Sequence, residues 1–589
     1  MINTTWDLSH LYKTNDDFLA DFETAKKLLK NLEKFKNNIR KNDKKIILES
    51  FKADDEFSVI LEKLAVYTKC KLDDDGKDLV NLKNYQIIED FFAEVSQKLA
   101  FESTEIAELS DEDLMKLKND PDFKDYDRQL DFIIKNKKHT MSEEQEVRLA
   151  TLAAFQNTDD IYSNLSDIEM YHGSFVDENG NKIELHNGNY TSNLRNPSQE
   201  IRKSVMKNFL AEYGKLNLTY SALYLSHVKY INFLAKEKKF ESALDMFTFK
   251  EDVSSNIIRK NIENVQKNVN LIQEYFDIKK KYLKLNNFYS SDMFTDFLNQ
   301  KDEIEYETAV NNVKAAFLPL GEDYVKVFEQ AINEGWIDAF PRKNKASGGY
   351  TISAFGEHPY ILLNYDKTAS WASAIAHEFG HAMHSYYSDK AQPYSKAQYT
   401  IFVAEVASLT NEILYNYYML EQETDNDKKI QIIADLLQVF YSNVFDATML
   451  SEFEIFVHEE LQNGSSLTSE DLNNKYLELN KKYLGNNVVL LDEFVYNWSR
   501  KPHIFRDYYL YKYSTGFISA ATIAKKIIDD KSGEFVKKYK EFLSIGGSLD
   551  PVSSLKVATV DIELDETYDI AFDLFRDYLS KLKDLTKEK

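Results

Sequence analysis

Glycine and proline are scarce in this chain, 17 and 8 in 589 residues, about 4% together where about 12% is usual. These two residues interrupt regular backbone, glycine by opening the left-handed region and proline by removing an N–H donor. So few of them over such a length leaves long helices and few hairpins, and the expected fold is mostly α. The length also allows a large buried core and more than one domain or lobe.

Acidic residues number 97 and basic residues 73, a net charge of −24. A carboxylate surplus of that size repels phosphate backbones, so no nucleic-acid partner is expected, and it keeps a protein dispersed in water. The single cysteine, Cys70, excludes an intramolecular disulfide framework and any zinc site built mainly from thiolates. The first ten residues lack a basic stretch followed by an apolar run, so no signal peptide is read. No stretch of about 18 uncharged apolar residues occurs. The expectation is a cytoplasmic protein with no membrane partner; nothing selects between a monomer and a small homo-oligomer.

Residues 1 to about 170 carry apolar residues at helical spacing, as in Asn81–Ala93, and Thr140–Glu143 reads as a capping box. Ser174–Leu185 then alternates around Asp177-Glu-Asn-Gly180, a hairpin signal, and Asn196-Pro197 is expected to open the next helix. These changes place a boundary near 190–200, dividing an N-terminal helical lobe, 1–195, from a C-terminal domain, 196–589. A second break, from about 335 to 370, holds Pro341, Ser347-Gly348-Gly349-Tyr350 and His358–Tyr365. Its short apolar run Tyr360–Asn364 is expected to be a strand of a small sheet. Helical patterning resumes near 371 and lasts almost to a polar tail, Lys583–Lys589, expected to fray.

Four of the eleven histidines lie between 358 and 384. Among them, His377-Glu378-Phe379-Gly380-His381 places two imidazoles four residues apart, on one face of a helix, where both can reach a single ion. Zinc accepts neutral imidazole and keeps a water where protein supplies only three ligands. Glu378, next to the first histidine, is placed to take a proton from that water. For the third ligand there are two candidates. His384 continues the ladder along the helix axis, a poor tetrahedral arrangement. Glu405 is the better one, the only carboxylate in the apolar or small run Phe402–Ser408, where an ionised group is costly unless paired or metal-bound. Glu412, seven residues on and on the same face, is placed to accept the second N–H of a ligand histidine. His458-Glu459-Glu-Leu-Gln462 begins like the first motif but has Gln462 where a second histidine is needed, and reads as a helix surface.

Taken together these residues resemble the M3 family of metallopeptidases, and within it most closely the oligoendopeptidase F group. His377–His384 resembles the family's extended zinc helix, Glu405 its glutamate ligand on the next helix, and His503–Gly516 its histidine-and-tyrosine catalytic segment. Ser347–Tyr350 and His358–Asn364 resemble the substrate edge that precedes the zinc helix, with Gly349 where relatives often carry Ala. The resemblance implies an elongated all-helical ellipsoid of two lobes around a deep channel, with a small sheet near the zinc helix and one Zn2+ per chain. It also implies short peptide substrates, with 1–195 as the N-terminal lobe and 196–589 as the catalytic domain.

By the same resemblance, Glu378, His503, Tyr508 and Tyr511 are the catalytic residues, and Gly348, Gly349, Tyr350, His358 and Tyr509 line the substrate. His384 and Glu412 then stand behind the ligands. If Tyr508–Tyr513 is helical, Tyr508 and Tyr511 share one face and Tyr509 and Tyr513 its neighbour. The edge of the 350–364 sheet suits a peptide added as a strand. The expected activity is endopeptidase cleavage of oligopeptides. Dipeptidyl carboxypeptidase or carboxypeptidase specificity on the same scaffold, and a non-peptidase metal hydrolase, are the alternatives.

Overall fold

The computed structural model describes residues 2–141, 145, 148, 149, 152, 157–298 and 303–587. The capping box read at Thr140–Glu143 falls largely outside them. Among the described residues the fold is mostly α, as expected. Helices reach 31 residues at Lys44–Asp74, 29 at Leu79–Ala107 and 23 at Ala369–Ala391. The strands come in three small sheets of two or three members. No helix among the described residues is long and apolar enough to cross a membrane.

The chain divides into two compact units. The first comprises Met1–Lys138, Asp302–Tyr418 and Lys526–Val560, and the second His139–Lys301, Met419–Lys525 and Asp561–Lys589. Each unit thus takes residues from both sides of the 195/196 division.

In the first unit, side-chain oxygens begin the long helices. Thr14 and Asp17 form a reciprocal capping box ahead of Asn15–Leu32, and Asp43 and Asp78 accept first-turn N–H groups of the next two helices. Their inward faces, with Phe18, Phe22, Leu64, Tyr67, Ile88 and Phe91, pack in one core with Tyr360 and Leu362. Each such side chain contributes about 1.5–3 kcal/mol by leaving water. Tyr360–Leu362 is the expected strand, fully buried, at the centre of a three-stranded sheet. It pairs in parallel with Ile337–Asp338 and antiparallel with Tyr350–Ile352, in the register Tyr350↔Leu362, Thr351↔Ile361 and Ile352↔Tyr360. Tyr350–Ile352 is therefore an edge strand. Lys345 fixes the loop before it, with Nζ 2.6 Å from both Asp338 Oδ1 and the Leu363 carbonyl oxygen.

The second unit holds the predicted hairpin, Ser174–Val176 against Lys182–Glu184. The following helix, Gln199–Lys215, is capped by Ser198 rather than opened by Asn196-Pro197. A hydroxyl that accepts a first-turn N–H gives a better start than the proline before it. Aromatic side chains dominate the interior, among them Tyr213 against Tyr220 and Tyr224 against Trp498. The C-terminal tail differs in part from expectation, because helix Asp565–Thr586 takes in Lys583–Thr586 of the residues read as frayed. Tyr578, Leu579 and Leu582 bury its apolar face, and Lys583 pairs with Glu274 at 2.7 Å.

Candidate active site

Thr368 caps helix Ala369–Ala391 by accepting the Trp371 N–H, and the helix buries Phe379 against Phe317 and Phe328. With that face turned inward, His377 and His381 share another, their ring centroids 5.1 Å apart. Helix Ile401–Gln422 crosses directly over Gly380. A Cβ added there would lie 2.4 Å from Ser408 Cα and 2.5 Å from the Ala407 carbonyl oxygen, so only glycine lets the two backbones touch. Asn411 Nδ2 donates to the Ala376 carbonyl oxygen at 3.2 Å and Asn416 Nδ2 to Ser373 Oγ at 3.2 Å, pinning the two helices together on the N-terminal side of His377.

This crossing brings Glu405 to the histidines. Its Oε2 lies 3.5 Å from both His377 Nε2 and His381 Nε2. The Ser408 hydroxyl lies 2.9 Å from the same oxygen, and Glu412 Oε2 lies 3.1 Å from His377 Nδ1. Glu412 therefore holds the ring with Nε2 facing Glu405. Burial disfavours charge on His377, but the Glu412 hydrogen bond, backed by the charges of Glu412, Glu378 and Glu405, lifts its pKa to about 9. Burial likewise opposes the Glu405 carboxylate, yet chiefly His381 brings it down to about 2. Among the described residues, no lysine or arginine pairs with Glu405. Two imidazoles and one carboxylate converging without a basic side chain form a donor set that fits a divalent transition metal.

Glu378 is buried beside this triad. Thr351 Oγ1, on the edge strand, lies 2.8 Å from Glu378 Oε2 and 2.8 Å from the Glu378 carbonyl oxygen. A cavity of about 370 Å³ opens over these groups, lined by Gly349, Tyr350, Thr351, Ser385 and Tyr399 as well as the triad and Glu378. A Cβ at Gly349 would sit at ordinary contact distances, 3.4 Å from Trp371 and 3.6 Å from Glu378 Oε1, so the alanine of relatives fits there. Thr351 has no motif to announce it, since only the sheet register brings it to Glu378. Replacing its hydroxyl by a methyl group in T351V is expected to lower kcat about tenfold, the worth of one hydrogen bond to a charged group, with KM little changed. Steady-state kinetics on a peptide substrate measures this.

Other expected residues lie away from the triad. His384 is buried and stacks on Tyr399 at 3.6 Å; it supports a wall of the cavity and stands outside the His377–His381–Glu405 cluster. His358 is stacked on Trp336 at 4.7 Å and does not line the cavity. Gly348 has φ +84° with open space where a Cβ would be, so it serves a turn.

The 503–513 segment lies in the second unit. It is not helical throughout, because Tyr508 takes φ +53° and the helix begins at Tyr511. The backbone there follows a buried hydrogen bond, with the Tyr508 N–H donating to Glu454 Oε1 at 2.7 Å. Tyr508 and Tyr511 are buried, whereas His503, Tyr509 and Tyr513 are partly exposed, the Tyr513 ring meeting His503 at 5.9 Å and Tyr509 at 5.4 Å, both edge to face. Burial, then Lys501 and Arg506, hold the His503 pKa below its usual value.

A mostly helical scaffold that aims two imidazoles and a carboxylate at one point, with a second carboxylate beside them, defines a metal-dependent hydrolase of the His-Glu-x-x-His class. Peptidase family M3 matches residues 192–574, and its companion, oligopeptidase F, matches 105–171. Oligopeptidase PepF of Bacillus subtilis is 30% identical, over 99% of this chain and 87% of its own. The crystal structure of oligoendopeptidase-F from Enterococcus faecium superposes at a TM-score of 0.73 with 26% identity, over 98% of this chain and 100% of that one. A proposed peptidase of Chlamydophila abortus does so at 0.91 with 27% identity, over 99% and 98%. The chain belongs to peptidase family M3 and is a metallopeptidase of the oligoendopeptidase F kind.

Proposed function

We propose that the chain is a zinc-dependent endopeptidase that hydrolyses internal bonds of short oligopeptides in the cytoplasm, its catalytic zinc held by His377, His381 and Glu405. The observation that carries this reading is the position of Glu405 Oε2, 3.5 Å from the Nε2 atoms of both histidines. Zinc bound there supplies a Lewis acid that polarises a carbonyl group and acidifies water. Glu378 takes the proton of the attacking water and delivers it to the leaving amine. Its Oε2 is engaged by Thr351 at 2.8 Å, which leaves Oε1 to move that proton.

Donors for the developing oxyanion are assigned to His503 and the tyrosines that follow it. The partial exposure of Tyr509 and Tyr513 favours them over the enclosed Tyr508 and Tyr511. The edge strand Tyr350–Ile352, with Gly349 beside it, suits a peptide held by its main chain. Division of the chain into a lobe at 1–195 and a catalytic domain at 196–589 is supported by family matches that end at 171 and begin at 192.

The test combines metal removal with E405A. A chelator is expected to abolish cleavage of an internally quenched peptide by the wild-type chain, and added zinc to restore it. E405A is expected to lose at least about a hundredfold in zinc affinity at this site and to stay inactive at stoichiometric zinc. Mass spectrometry of the products locates the cut. Undiminished cleavage by metal-free protein would refute the reading.

A further inference from the structure

His458, read from the sequence as a helix-surface residue, is 2% exposed, and Glu454, one turn before it on helix Ala447–Gln462, is fully buried. Residues four apart share a helix face. Asn232 Nδ2 donates to the His458 carbonyl oxygen at 2.9 Å, so the amide oxygen faces the ring, 2.8 Å from His458 Nδ1. The ring proton therefore sits on Nδ1, and Nε2 presents a lone pair with no hydrogen-bond partner. Glu454 repeats the pattern: Oε1 accepts the Tyr508 N–H at 2.7 Å, while the buried Oε2 has no partner. Two orphaned acceptors in one buried cluster are costly, and no hydrogen bond joins them to each other.

Asp507 completes the group. One donor atom from each of Glu454, His458 and Asp507 lies within 4.8 Å of the others. Asp507 Oδ1 is 2.9 Å from His227 Nε2, and His227 Nδ1 is 2.9 Å from Thr158 Oγ1. Each candidate ligand is thus oriented by an outer group: His458 by Asn232, Glu454 by the Tyr508 N–H and Asp507 by His227. Outer partners of this kind are characteristic of built metal sites.

We propose that Glu454, His458 and Asp507 form a second binding site, for a divalent first-row transition ion such as zinc. An ion satisfies both orphaned acceptors at once, and one nitrogen with two carboxylates is a suitable donor set. Asp507 is partly exposed and gives the ion its way in. The ion ties helix Ala447–Gln462 to the left-handed bend at Tyr508, and its role is structural.

The test is zinc stoichiometry on the full chain, stripped of metal and titrated by calorimetry. Two equivalents are expected for wild type, one for H381A, one for E454Q and none for the double variant. In E454Q the remaining side-chain oxygen still accepts the Tyr508 N–H, so the fold is retained. Zinc is also expected to raise the Tm of H381A but not that of H381A/E454Q. A single wild-type equivalent that disappears with H381A overturns the second site and leaves the first intact. A single equivalent that survives H381A and disappears with E454Q upholds the second and removes the first. A wild-type chain and H381A that bind zinc equally with and without Glu454 also overturn the proposal.

Discussion

E378Q is expected to bind zinc as the wild-type chain does and to lose about a thousandfold in kcat, a loss within the range that removing a positioned base costs. The substitution preserves shape: an amide occupies the volume of the carboxylate, and Thr351 Oγ1 at 2.8 Å still has a partner. Glu405 Oε2 keeps its 3.5 Å distances to His377 and His381 because none of the three leans on Glu378 for its orientation. What disappears is the capacity to hold a proton between water and leaving amine. Burst and steady-state kinetics, beside metal analysis of the same preparation, measure it. An E378Q chain that retains zinc and turns over at near-native rate would remove Glu378 from the mechanism.

G380A is expected to weaken both metal binding and stability, though the residue carries no chemistry. A methyl group there meets backbone at 2.4–2.6 Å from Ser408 and Ala407, and backbone cannot step aside as a flexible side chain does. The helices must separate, and Glu405, three residues before Ser408, moves away from both imidazoles together. Overpacking in a tight interior costs about 1–3 kcal/mol or more, so Tm is expected to fall and zinc affinity with it. A G380A chain with wild-type zinc affinity would show that the close crossing is not what places Glu405. Calorimetric titration and a thermal melt give both numbers.

The parts of this site that obey helical periodicity could be read from the sequence. His377 and His381 are four apart on one face, and Glu405 stands out as an isolated carboxylate in an apolar run. Glu412 follows from the same arithmetic, and the central strand Tyr360–Leu362 from a short apolar stretch between turn formers. Thr351 and Gly380 were not legible as functional residues, because each matters through tertiary proximity. One reaches Glu378 across a sheet register, and the other is defined by a helix that comes to rest on it.

The 508–511 segment failed for a different reason. Its residues have the spacing of a helix, but a buried carboxylate, Glu454, captures the Tyr508 N–H and holds the backbone at positive φ. Local pattern gives no warning of such a partner 54 residues away. The burial of His458 is hidden from local pattern for the same cause, since Asn232, which orients it, is 226 residues distant.

The placement of Thr351 on the outermost strand has a mechanical consequence. On the proposed function, the hydroxyl that contacts the base Glu378 belongs to the same three-residue edge strand that would offer its main chain to an incoming peptide. A ligand that pairs along this rim would then dock on the residues that support Glu378, which would couple occupancy to the setting of the base. Proline, which has no N–H to give, breaks that pairing wherever it falls opposite a carbonyl group of the rim. Peptides carrying it there would be held poorly and would also leave the base less firmly set.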